Sequence, residues 1–270
     1  MKQQFGKNFK ENLLTEFDKE RLNESIEFIQ YYLEIENLNN KTFLDAGCGS
    51  GVFTLATTEL GANVRAFDLD DVAILNTKEL LKEYGHPVSD EKITLGNILD
   101  PKFIESLGTY DYVMCWGVSH HTGEMWKSLD LIAQTVNIGG KIHLGIYNKA
   151  DGWGFYPDGR FGPSPFWNKI KKFYSSMPNF IQLSIDKLAT FGIILLHILT
   201  LNNPIKKLKE NERRGMNWQS DLKDWLIGYP YEYATPEEVF EFMKERGFQL
   251  EKIRTNNGLL TNNYVFKRIK

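Results

Sequence analysis

The segment Phe43-Leu44-Asp45-Ala46-Gly47-Cys48-Gly49-Ser50-Gly51 constrains the chain most, because a short apolar strand runs into glycines on alternate positions and then into a helical pattern. Glycine supplies positive φ and removes the Cβ that would collide with a ligand. A strand, a bare turn and a helix in succession therefore read as a nucleotide-binding turn. A second strand over 62–68 ends in Asp68, seventeen positions beyond Gly51. An acid closing that strand can accept hydrogen bonds from both ribose hydroxyls of an adenosine, which makes Asp68 the natural partner of the turn.

Spacing narrows the ligand. A dinucleotide fingerprint places glycines at the first, third and sixth positions, so that a pyrophosphate meets a helix N-terminus. Here the sixth position is Val52 and the third glycine falls one place earlier, on Gly51. No Lys follows the glycines, so a P-loop fails as well, and an NAD-type oxidoreductase is disfavoured.

Asp45-Ala46-Gly47-Cys48-Gly49-Ser50-Gly51 together with Asp68 resembles the class I S-adenosylmethionine (SAM) methyltransferases, in which an acid-x-Gly-x-Gly-x-Gly turn is followed by an acid at the end of the second strand. The likeness extends to Ile93–Asp100 as third strand and adenine-side loop, and to Tyr110–Trp116 as fourth strand. It implies that Asp45, Gly47, Cys48, Gly49, Gly51, Asp68 and Leu69 hold SAM. Asn97 and Ile98 would lie beside the adenine, and Trp116, Gly117 and Val118 would wall the crevice. The implied fold is α/β: a Rossmann-like, seven-stranded methyltransferase sheet with an antiparallel last strand and a largely helical cap insertion.

Alternation along the chain agrees with that architecture. Residues 8–35 carry Leu13, Phe17, Leu22, Ile26, Ile29 and Leu33 at helical spacing, ahead of the first strand. Strand and helix patterns then alternate through 41–147, as in βαβ units. Asn137–Gly140 reads as a turn before a fifth strand over 141–147. Thr235-Pro236-Glu237-Glu238 reads as a capping box with Pro in the first turn, and Gly247 as the helix stop. Two strand-like runs follow at 248–254 and 263–267, resembling the antiparallel sixth and seventh strands of methyltransferases. The organisation is thus N-terminal helices and SAM-binding core over 1–147, a cap insertion over 148–234, and a C-terminal helix and strands over 235–270 that complete the core.

Between Tyr147 and Thr235 the alternation stops, and a structureless loop of that length is improbable, which points to a partly helical cap. It opens on a Gly/Pro/aromatic stretch, 151–163, in which Trp153 and Tyr156 can line a pocket or a rigid connector. The apolar run over 189–201, flanked by Lys171-Lys172 and Lys206-Lys207, falls short of the ~20 apolar residues that span a bilayer. It reads either as a buried cap helix or as a face giving weak membrane-surface association.

For methyl transfer to oxygen, an acceptor must lose a proton, and the useful base is a neutral histidine. The loop after the fourth strand, Trp116-Gly117-Val118-Ser119-His120-His121-Thr122-Gly123, offers two. His120 resembles the base of plant-type small-molecule O-methyltransferases, and His121 the loop histidine of quinone-biosynthesis methyltransferases. The alternative is that both cap the next helix or wall the pocket. Tyr147, at the end of the fifth strand, is a further catalytic candidate.

The stretch 116–127, with Ile146–Asn148, Arg214–Trp218, Asp221, Asp224-Trp225 and Gly228–Glu232, resembles a bacterial subgroup of methyltransferases described as ubiquinone-type or metabolite methylases. That likeness makes Arg214, Asp221, Asp224 and Tyr229 acceptor-side candidates. Asp221 and Asp224, three apart, would share one helical face, which is as readily a solvated face. Where the subgroup often has a histidine before the first aspartate, this chain has Ser220, so a metal role built on that histidine has no footing. His and Cys do not recur with ligand spacing, and no metal is expected.

Net charge of −3 gives no general electrostatic reason to bind nucleic acid. The Asn/Asp-Pro-Pro-aromatic motif expected of amino-methylating nucleic-acid enzymes is absent after the fourth strand. Two cysteines, Cys48 and Cys115, and an N-terminus without an apolar h-region fit a reduced, cytoplasmic protein. The expectation is a SAM-dependent methyltransferase of a small-molecule acceptor, at a hydroxyl oxygen; the alternative is a catalytically silent SAM-binding regulatory or scaffold protein.

Overall fold

A computed structural model of the chain describes residues 19–150, 164–178, 180–182, 184–188, 192 and 228–270. Helix α1 (Lys19–Leu33) precedes β1 (Thr42–Ala46), α2 (Val52–Glu59), β2 (Asn63–Asp68), α3 (Asp71–Glu83), β3 (Ile93–Leu95), α4 (Pro101–Leu107) and β4 (Tyr110–Trp116). A single 3₁₀ turn over Ser119–His121 leads to α5 (Met125–Ala133), β5 (Val136–Tyr147) and α6 (Ser164–Ser175). The chain closes with α7 (Pro236–Glu245), β6 (Phe248–Arg254) and β7 (Thr261–Arg268).

The strands form one seven-stranded sheet in the order β3-β2-β1-β4-β5-β7-β6. β1 pairs in parallel with β2 and β4, and order reverses there, so ligands belong outside the carboxyl ends of these strands. β7 is antiparallel to both β5 and β6. The last strand is therefore the antiparallel one, as expected, and it inserts between β5 and β6, so that β6 runs with the parallel strands.

Strand periodicity of two sends alternate side chains to opposite faces. Phe43 and Met114 join the core beneath α1, α2 and α3, with Leu33, Leu55 and Leu81. Leu44, Val113 and Cys115 join the other core, against Ile104, Leu129, Val239 and Met243 of α4, α5 and α7. Both faces of the central strands are buried, as a parallel sheet requires.

The turn expected at Asn137–Gly140 lies inside β5 as an irregularity. Tyr110 pairs with Val136, yet Tyr112 pairs with Lys141, so six residues of β5 oppose three of β4. Gly139 takes φ +84°, and a Cβ on Gly140 would lie 2.8 Å from the Asp111 carbonyl oxygen. The turn chemistry is spent on a bulge rather than on a boundary.

The segment before α7 returns alongside the end of β5. Asn148 and Ala234 form an isolated bridge, the Ala234 N–H donates to the Tyr147 carbonyl, and the Glu232 N–H donates to the His120 carbonyl. On the other side of β5, Ser164 at the head of α6 exchanges hydrogen bonds with Ala150. No described helix is long and apolar enough to cross a membrane. Apart from Gly192, the apolar run over 189–201 lies outside the described residues, as does the leading part of 8–35 before Lys19.

α7 starts with the expected capping box: the Glu238 N–H donates to Thr235 Oγ1 at 3.1 Å, and the Thr235 N–H donates to Glu238 Oε2 at 2.7 Å. Thr235→Ala removes one arm, and we expect a loss of about 1 kcal/mol in urea unfolding. An unchanged midpoint would mean that packing of Val239 and Met243 alone sets the start of this helix.

Candidate active site

The turn after β1 is held by backbone. The N–H groups of Gly47 and Cys48 both donate to the Phe67 carbonyl of β2, at 2.8 and 3.1 Å, which folds the turn over the neighbouring strand. Gly47 and Gly51 have φ near +80°, where side-chain-bearing residues are strained. A Cβ on Gly47 would lie 2.4 Å from the Val118 side chain, and one on Gly51 2.8 Å from the Thr77 backbone. The turn is thus wedged between the β4 loop and α3, and its bare backbone is a packing requirement as well as a ligand surface.

Asp68 closes β2 where expected. Its carboxylate accepts the Gly49 N–H at 2.9 Å on one oxygen and the Asp70 N–H at 2.9 Å on the other. A carboxylate offers about four acceptor sites, so it retains capacity for hydroxyl donors. Burial pushes its pKa up, against the two amides that lower it. Asp45 is buried in β1 and accepts a 2.6 Å hydrogen bond from Thr54 Oγ1. Desolvation raises its pKa to about 6, opposed by Thr54 and reinforced by the charge of Asp68.

Helix α2 begins at Gly51 with no side-chain cap and no acid in its first turn, leaving its positive end to the crevice. Leu69 is 65% exposed beside Asp68. Asn97 is exposed and uses its Oδ1 to accept the Leu99 N–H, while Ile98 is buried in the core behind it. A Cβ on Gly117 would meet nothing within 4 Å, so the β4 loop is open at that point. Acid, bare turn, helix end and open loop fit an adenosyl group bearing an amino-acid tail.

Trp116 is oriented away from a purely wall-like role. Its indole N–H donates to Asn263 Oδ1 at 2.8 Å, its ring packs over Gly145, and it meets Phe28 and Phe53 edge-on. Asn263 Oδ1 also bonds His143 Nε2 at 3.1 Å, and His143, whose pKa burial lowers to about 4, stacks on Tyr32. These partners were not legible in the motif. Cys48 and Cys115 are buried free thiols whose pKa values desolvation raises, the latter to about 11, so neither is a nucleophile.

The two histidines separate. His120 is 1% exposed, accepts the Tyr147 N–H on Nδ1 at 3.3 Å, and its charged form is strongly disfavoured by burial. His121 is partly exposed, and its Nδ1 lies 2.8 Å from the Pro230 carbonyl. A carbonyl only accepts, so Nδ1 carries the proton and Nε2 is the basic nitrogen. Burial, with a contribution from the Lys171 charge, lowers the His121 pKa to about 3.

Tyr147 joins this group, its ring centroid 3.9 Å from His120, 5.3 Å from His121 and 5.1 Å from Tyr231. Tyr229 lies next to Pro230 in the returning segment. Trp153, Tyr156, Arg214, Asp221 and Asp224 lie outside the described residues. Among the described residues, no three His, Cys, Asp or Glu side chains cluster as a metal site. Sequence reading missed Lys171, which α6 buries on the same face as Ser164 and Tyr174. Their spacing of seven and three was the available signal.

Residues 44–142 match the family model of a methyltransferase domain. The chain is 27% identical over 133 residues to a ubiquinone biosynthesis O-methyltransferase of Colwellia psychrerythraea, covering 46% of this chain and 52% of that protein. It is 38% identical over 124 residues to a ribosomal protein L11 methyltransferase of Campylobacter lari, covering 46% and 40%. It thus spans about half or less of the curated relatives' length. The crystal structure of magnesium protoporphyrin IX methyltransferase from Synechocystis, with bound S-adenosylhomocysteine, superposes with a TM-score of 0.51 at 14% identity, over 92% of this chain and 82% of that one. Residues 44–142 thus match a methyltransferase domain, and the likeness to the solved structure is one of fold.

Asp45 gives the site a pH signature in the free protein. A carboxyl whose folded pKa rises from 3.8 to about 6 favours the fold when protonated, and that stability is lost as pH climbs through this interval. By linkage the loss is about 3 kcal/mol, at about 1.36 kcal/mol per unit. Asp45→Asn keeps an acceptor for Thr54 without the charge, so its stability relative to the natural protein is expected to rise between pH 4.5 and 7.5 in denaturant unfolding. Parallel pH curves for the two proteins would show that Asp45 is not the titrating group.

Proposed function

We propose that this protein transfers the methyl group of SAM to a hydroxyl oxygen of a small-molecule acceptor, with His121 as base. The observation that carries the reading is the seating of Val118 against Gly47, which brings the loop bearing the histidines onto the cofactor turn. Similarity to a ubiquinone biosynthesis O-methyltransferase supports oxygen as the acceptor atom.

When bound, SAM supplies an electrophilic methyl on a sulfonium. Gly47, Gly49 and Gly51 let its chain approach the backbone, Asp68 takes its ribose hydroxyls, and Asp45 lies at the root of the turn. His121 receives the acceptor proton on Nε2 while Pro230 holds the ring by the opposite nitrogen. SAM would supply the methyl carbon for the new carbon–oxygen bond, and its sulfur would keep the electron pair of the bond broken. The proton then leaves His121 to water. Buried His120 and the Tyr147 and Tyr231 rings keep water from the reacting atoms, and positioning of this kind supplies several kcal/mol in favourable cases.

The depressed His121 pKa keeps the imidazole neutral in the free protein above about pH 4, so it can accept a proton there but as a weak base. The reading places the enzyme in the cytoplasm and requires no metal. Trp153, Tyr156, Arg214, Asp221, Asp224 and Tyr229 complete the acceptor side within the cap.

With labelled SAM and a panel of hydroxylated acceptors, His121→Ala is expected to lower kcat by about 10²–10⁴-fold, with S-adenosylhomocysteine affinity unchanged in calorimetry. Undiminished turnover would remove His121 from the chemistry. Tight cofactor binding without turnover of any acceptor would favour the regulatory or scaffold reading.

A further inference from the structure

β5 runs on to Tyr147, past the point where β4 leaves it. β4 ends at Trp116, opposite Gly145, and the Gly117 N–H makes the last rung by donating to the Gly145 carbonyl at 3.3 Å. Gly117, at φ +78°, then turns the chain away. Farther along the same edge of β5 the returning segment takes over. The Ala234 N–H donates to the Tyr147 carbonyl and the Lys149 N–H to the Ala234 carbonyl, both at 3.0 Å. Between the departing strand and the arriving one lies a single donor, the Tyr147 N–H. Residues two apart on a strand turn their peptide groups to the same neighbour, so this N–H points where the next β4 carbonyl of a parallel ladder would have stood. His120 Nδ1 stands there instead, 3.3 Å away.

A buried backbone N–H needs an acceptor, and losing one costs more than the bond is worth. His120 supplies it from a side chain that is itself buried, with its ring centroid 3.9 Å from that of Tyr147. The His120 carbonyl meanwhile accepts the Glu232 N–H at 2.9 Å. One residue therefore joins the loop to β5 through its imidazole and to the returning segment through its backbone.

Donor and acceptor roles fix the tautomers. An amide N–H only donates, so Nδ1 of His120 is the bare nitrogen and the neutral ring carries its proton on Nε2. Burial strongly disfavours the charged ring, which would turn a second N–H toward the Tyr147 amide. His121 has the Pro230 carbonyl 2.8 Å from its Nδ1, and a carbonyl only accepts, so its proton is on Nδ1. Adjacent histidines thus hold opposite tautomers. Pro230, which fixes the second ring, lies two residues from Glu232, which holds the backbone of the first.

We propose that His120 is the positioning residue of this loop: its imidazole stands in for the missing β4 carbonyl, and by tying the loop to β5 it keeps His121 against Pro230 in the Nδ1-protonated form. The proposal rests on the reading of His121 as base and deepens it, since a proton on Nδ1 leaves the lone pair on Nε2, the nitrogen that reading uses. His120 itself takes no part in proton transfer.

The full chain carrying 15N-labelled histidine provides the test at neutral pH, where nitrogen chemical shifts separate a protonated ring nitrogen from a bare one. His120→Asn and His121→Gln identify the two residues by the signals they remove. His120 is expected to be bare at Nδ1 and protonated at Nε2, and His121 the reverse. His120→Asn places an amide oxygen near the position of Nδ1, and should leave the His121 signals and slow hydrogen exchange of the Tyr147 amide in place. In His120→Ala the His121 signals should become those of mixed tautomers, and Tyr147 exchange should quicken about tenfold or more. The same tautomer on both histidines, or the two reversed, overturns the proposal in the natural protein alone, whether or not the variants fold. So does a His121 that stays wholly Nδ1-protonated in His120→Ala while Tyr147 exchange is unchanged. Undiminished turnover in His121→Ala would instead bring down the base reading and leave the tautomers where they are.

Discussion

One backbone carbonyl organises the cofactor side of this molecule. Phe67 O, near the end of β2, receives the amides of both Gly47 and Cys48 and so bends the chain leaving β1 across its neighbour. That bend places Gly49 N–H on the Asp68 carboxylate and brings Gly51 to the start of α2. It also sets Gly47 against Val118, so the loop that carries the histidines is positioned by the same turn that receives the cofactor. A side chain at Gly47 would strain the local conformation and push that loop away together. The glycine turn and the histidine loop are therefore mechanically coupled through two residues.

The legibility of the chain followed from how local each signal was. β1, β2 and β4 were readable because both their faces are buried and their apolar runs are bounded by glycine and acid, all within a few residues. The capping box at Thr235 was readable for the same reason. Asn137–Gly140 misled because turn residues serve a bulge as well as a boundary, and only the pairings of Tyr110 with Val136 and Tyr112 with Lys141 distinguish the two. The direction of β6 was hidden since strand patterns carry no polarity. That depends on β7 inserting between β5 and β6.

The histidine pair marks the limit of motif reasoning. Adjacent residues on one loop were interchangeable in sequence, yet the 3₁₀ turn turns His120 inward onto the Tyr147 amide and His121 toward the Pro230 carbonyl, 109 residues on. Pro230 belongs to a segment with no motif of its own for this task. Lys171 was hidden by residue type: lysine on an amphipathic helix reads as solvated, whereas here its ammonium lies over the Tyr147 and Tyr231 faces.

Burial of a base and a cation within one aromatic cluster is costly, and folds do not keep such groups without compensation. Asp45 and Asp68 show the same pattern on the cofactor side, where two buried carboxyls with raised pKa values border a turn suited to a sulfonium. The molecule thus concentrates negative charge where a cationic donor would sit and sets the Lys171 charge beside the histidines. Between them runs the short span from Gly47 to His121, bridged by Val118, along which the donor and acceptor sides face each other.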